Sequence, residues 1–157
     1  MANKAFYKSY FVFGIGAAIV YAIAGFIFIQ KAIYTESWVL YVGNFMFMII
    51  IGWSLFYMSR TKADYASSLP LIVDGEKTVI IGVIASTLLS FILLLIMIHG
   101  LFGSGTPGKV LLDKPANTVR DRTNGLDFML IVNSLVGNFV TGSFVSVMLP
   151  GSLVKSR

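Results

Sequence analysis

The chain has no cysteine, which excludes disulfide bridges, thiolate metal sites and thiol nucleophiles at the outset. It has one histidine, His99, so neither haem held by two imidazoles of the same chain nor a histidine-rich metal site is available. Charge is scarce as well: Asp, Glu, Lys and Arg make up 12% of the 157 residues, about half the share of a soluble domain. The space is filled by apolar residues, 57% of the chain, and the mean hydropathy is +0.84. Such a composition is too apolar for a soluble fold.

Four long runs lack Asp, Glu, Lys and Arg altogether: 11–29, 38–58, 79–98 and 128–149. A helix rises 1.5 Å per residue, so about 20 apolar residues cross the roughly 30 Å of bilayer hydrocarbon. Backbone polar groups in lipid must be satisfied within the segment, which favours helices over open strands. The expected architecture is an all-α integral membrane protein. It is a single four-transmembrane-helix bundle over 1–157, with short connections and one longer extracytoplasmic loop, His99 to Asp127, between helices 3 and 4. The first run follows Lys4 and Lys8 and reaches Ala22-Ile23-Ala24, as a secretory signal would, but it continues through Gly25 to Ile29 and is expected to be retained as a span. Asp74-Gly75-Glu76 is expected to open the third helix, with Asp74 as cap, and Pro150-Gly151 to end the fourth.

The twelve basic residues sit between the runs, which speaks for topology and lipid contact and against nucleic acid. Seven of them (Lys4, Lys8, Arg60, Lys62, Lys77, Lys155, Arg157) fall on one side and five (Lys31, Lys109, Lys114, Arg120, Arg122) on the other. Most of the seven lie close to a helix end, so both termini are expected in the cytoplasm. The compact chain without an N-glycosylation sequon suggests a bacterial inner membrane. Tyr and Trp at the run ends suit the headgroup level.

Lipid tails are as apolar as leucine, so membrane helices associate through small residues and interhelical hydrogen bonds. The fourth run carries such a stripe at i+4 spacing: Ser134, Asn138, Gly142 and Ser146, a candidate helix-packing or partner face. The first offers Gly14, Ala18 and Ala22, and the third Gly82, Ser86 and Ser90. Asn44 and Asn133 each lie five or six residues inside a run, about 8–9 Å deep. With Gln30 and His99 at neighbouring helix ends they form a candidate polar pocket on the outer side, the alternative being plain interhelical bonding. Arg120 and Arg122 are candidate contacts for an anion or a partner, or simply solvated loop charges.

Gly103-Ser104-Gly105-Thr106-Pro107-Gly108-Lys109 matches the glycine and lysine spacing of a phosphate-binding loop, but no strand precedes it and Val110 replaces the magnesium-binding hydroxyl. A turn accounts for it better. No nucleophile with a base, carboxylate pair or metal constellation is visible, so no enzyme and no cofactor are expected beyond bound lipid. Charged groups or prolines inside the runs, the marks of an ion-coupled transporter, are missing too. The expectation is an accessory or structural membrane subunit, packed against copies of itself or a larger complex. A passive pore, or binding of a small ligand in the outer pocket, is the alternative.

Overall fold

The computed structural model describes residues 3–31, 37–61, 67–98 and 128–155. They form four helices long and apolar enough to cross a membrane, with no strand among the described residues. These are α1 (Asn3–Lys31), α2 (Trp38–Thr61), α3 (Ser68–Ile98) and α4 (residues 128–155). Within α4 a π-helical turn, Asn133–Gly137, precedes the α-helical stretch Asn138–Lys155.

Contacts between named residues set the topology. Tyr10 meets Asp74, and Gly14 approaches Thr78 and Ile81, so α1 and α3 run parallel. Ala24 meets Gly43 and Phe13 meets Tyr57, so α2 runs against α1. Asn44 bonds Asn133 while Gly52 packs on Val145 and Leu149, so α2 and α4 are parallel. The helices surround a common interior in the order α1, α2, α4, α3, and the two ends of the described chain lie at the same end of the bundle.

Inside, apolar and polar residues alternate in layers. One apolar layer, Phe28, Ile29, Leu40, Leu94 and Leu130, lies toward the end where α1 passes to α2. A middle one is built from Ala17, Tyr21, Phe47, Ile51, Val79 and Val83, and a third from Tyr10, Leu55, Met58 and Leu71. Phe47 is the hub of the middle layer: it is fully buried, its ring edge reaches the backbone of Gly82 on α3, and its opposite edge reaches Gly142 on α4. Only glycine leaves room for the ring on both sides.

Three boundaries differ from those read in the sequence. The helix α3 starts at Ser68, not near Val79, and Asp74, Gly75 and Glu76 are helix interior, not a cap. Pro70 is tolerated there because the first turn has no intrahelical partner for its missing N–H. Leu71, fully buried, gives the added turns an apolar anchor. The helix α4 runs past Pro150 to Lys155, since Leu149 and Leu153, packed against the third apolar layer, hold the continuation. The helix α1 overshoots its apolar run at both ends. Finally, α3 has 31 residues and is about 46 Å long, against roughly 30 Å of hydrocarbon.

Candidate functional site

Two polar layers lie between the apolar ones, and the richer is an amide layer at the π turn of α4. In a regular α-helix, positions 133 and 138 would point about 140° apart, at 3.6 residues per turn. The π turn adds a residue to the coil, with the Asn138 N–H bonded to the Asn133 carbonyl five residues back, and brings both amides to the interior. The Asn44 amide nitrogen donates to Asn133 Oδ1 at 2.9 Å, and the Asn133 amide nitrogen donates to the Tyr21 hydroxyl at 3.3 Å. One asparagine thus ties α4 to α2 and α1. Asn138, fully buried, donates to the Ser86 hydroxyl on α3 at 3.0 Å, and Ser86 in turn donates to the Val83 carbonyl at 3.1 Å. Gly137 is part of the arrangement: a Cβ there would sit 2.6 Å from Asn133 Oδ1 and 2.7 Å from Asn44 Nδ2.

The amide layer is incompletely satisfied. Asn44 Oδ1, Asn138 Oδ1, Thr87 Oγ1 and Ser90 Oγ are buried without a hydrogen-bond partner. Two of these are amide oxygens, which only accept, and two are hydroxyls.

The second polar layer is a carboxyl layer between the middle and third apolar layers. The Tyr10 hydroxyl donates to Asp74 at 2.8 Å, and Lys77 lies 3.3 Å from the same oxygen. The Lys77 ammonium also stands 5.7 Å above the Tyr10 ring. Glu76 faces α4, where Ser143 donates to one carboxylate oxygen at 2.9 Å and Ser146 to the other. The two acids therefore join α3 to different neighbours. Sequence reasoning missed this layer because its partners lie 64 to 70 residues away along the chain.

The stripe Ser134, Asn138, Gly142 and Ser146 is taken up inside the bundle: its three polar members are fully buried, and Gly142 abuts Val79 and Phe47. Of the pocket residues, Asn44 and Asn133 are brought together, while Gln30 is exposed at the end of α1. His99, Arg120, Arg122 and the glycine-rich segment 103–109 lie outside the described residues. Among the described residues no three His, Cys, Asp or Glu side chains are grouped to hold a metal ion. No protein-family model, curated protein or solved structure matches the chain.

Proposed function

We propose that this polytopic membrane protein is a non-catalytic subunit that packs within the bilayer against another membrane-embedded chain, either a second copy or part of a larger complex. The observation that carries the reading is how the polar interior is used. Every buried carboxyl and amide side chain among the described residues is hydrogen-bonded to a different helix of the same chain. That is the use expected of polar groups that hold membrane helices together. The small-polar faces are thereby occupied, and the outer face of α4 is left for a partner. In its most apolar stretch 22% of residues are buried inside the bundle, against 44% in α1 and α2. Phe128, Phe139, Val140, Phe144 and Met148 are exposed along it.

In this reading the chain sits in a bacterial inner membrane with both termini cytoplasmic, as the distribution of basic residues supports. The test is extraction of the tagged full-length protein in mild detergent, followed by native mass determination. A stable dimer, higher oligomer or stoichiometric complex is expected, and a monodisperse monomer without a partner overturns the proposal. A second reading, a small polar ligand or ion taken up in the amide layer, is favoured by the unpartnered Asn44 and Asn138 oxygens. Solute or ion flux through reconstituted vesicles, lost on Asn138→Leu, would select it.

A further inference from the structure

A groove of about 360 Å³ opens between α1 and α2, toward the end where Lys31 closes α1 and Trp38 begins α2. Its floor is Ala24 and Gly43, its walls are Ile23, Ile27, Val42 and Met46, and Trp38 stands at its mouth. We propose that it binds one acyl chain of a phospholipid, with the headgroup at the Trp38 end.

The floor explains why a groove exists here. A Cβ on Gly43 would come within 2.8 Å of the Ala24 Cβ, so the helices approach closely at two small residues, whose side chains are too short to fill the depression outside that contact. The walls project past it: Ile23 is 56% exposed, Val42 42% and Met46 41%. Size selects a single tail. A volume of about 360 Å³ holds on the order of a dozen groups of the size of water, about 30 Å³ each, and a methylene is of similar size. Length agrees, since the lining from Trp38 to Met46 spans about 12 Å of helix, less than half the hydrocarbon thickness.

The indole orients the lipid. The lining is apolar apart from Trp38, a residue that prefers the headgroup level. The site lies on the α1–α2 side, away from the outer face of α4, so it stands or falls independently of the partner proposed there.

The test uses the full-length protein reconstituted in phosphatidylcholine vesicles, with a trace of phosphatidylglycerol carrying a diazirine midway along one tail. After photolysis, label is expected on residues 20–27 and 38–46 in several-fold excess over the exposed Ile84, Leu88 and Phe91 of α3, which meet bulk lipid. Equal labelling of both surfaces overturns the proposal. Val42→Trp fills the groove from an exposed wall, so it should remove the excess while α3 keeps its label as a control for folding. An excess that survives this substitution also overturns it.

Discussion

The seating of Phe47 between two glycines makes a sharp prediction about two chemically identical substitutions. A Cβ at Gly82 would lie 2.8 Å from Phe47 Cζ, 2.9 Å from Cε2 and 3.3 Å from the Gly14 carbonyl oxygen. The ring cannot retreat, because its other edge is 3.1 Å from the position of a Cβ on Gly142 and the residue is fully buried. At Gly16 on α1, by contrast, a Cβ would meet nothing within 4 Å. Replacing glycine by alanine inside a helix contributes about 1 kcal/mol through backbone entropy, and this term is shared by Gly82→Ala and Gly16→Ala. Their difference isolates the crowding at Gly82, about 1–3 kcal/mol for overpacking a filled core.

The measurement is reversible unfolding in mixed micelles of mild detergent and dodecyl sulfate, followed by circular dichroism. Gly16→Ala should be neutral or stabilising, and Gly82→Ala less stable than it by that margin. Phe47→Leu removes the crowded ring atoms, so the double variant with Gly82→Ala should lose less than the sum of the single losses, by at least about 0.5 kcal/mol. Equal free energies for the two alanine variants, or strict additivity in the double, would refute the notch.

The amide layer and the carboxyl layer yield the remaining expectations, each checked by the same titration. Asn133→Leu removes bonds to two helices and should cost about 1–2 kcal/mol, whereas Asn44→Leu removes one bond and should cost about 0.6 kcal/mol. Gly137→Ala drives a methyl group to 2.6 Å from Asn133 Oδ1 and 2.7 Å from Asn44 Nδ2, so its cost should at least match that of Asn133→Leu. Tyr10→Phe takes the hydroxyl from Asp74 and should cost about 1 kcal/mol or more. Glu76→Gln keeps an acceptor for the serines of α4 and should be milder than Glu76→Leu, which keeps none.

What the sequence reveals and what it hides follow from the range of the interactions involved. The spans are legible because their signal is local: length, absence of charge and flanking Trp or Tyr, which place the start of α2 at Trp38 as observed. The inward stripe of α4 is legible too, since i+4 spacing from Ser134 to Ser146 is a property of one helix. The start of α3 is not. Asp74 and Glu76 look like the edge of a loop until Tyr10 of α1 and the serines of α4 are brought to them, and nothing local to positions 68–78 announces those partners. Pro150 misleads for a related reason: its local cost is outweighed by the packing of its neighbours Leu149 and Leu153 against the third apolar layer. The π turn left one trace, two asparagines five residues apart with a glycine between them, a pattern that ordinary helical periodicity would split between two faces.

The alternation of layers explains why this bundle tolerates imperfect polar satisfaction. Apolar layers alone would leave the helices free to rotate and slide, because in lipid a leucine gains little by choosing protein over a hydrocarbon tail. Amides do not have that freedom. Asn133 reaches both Asn44 and Tyr21 only at one rotation of α4, and Asn138 reaches Ser86 only because the π turn restores its direction. Register is thus set at the amide layer and again at Glu76, which meets two serines on consecutive turns of α4. The unpartnered oxygens of Asn44 and Asn138 accompany this arrangement, since each amide turns its nitrogen toward the neighbouring helix and leaves its oxygen over. A leucine in place of either asparagine would remove its orphaned oxygen while erasing the rotational constraint, and at position 44 it would also take the donor from Asn133 Oδ1. Such variants should therefore lose uniqueness of packing, seen as broadened amide resonances from α4, out of proportion to their modest loss of stability.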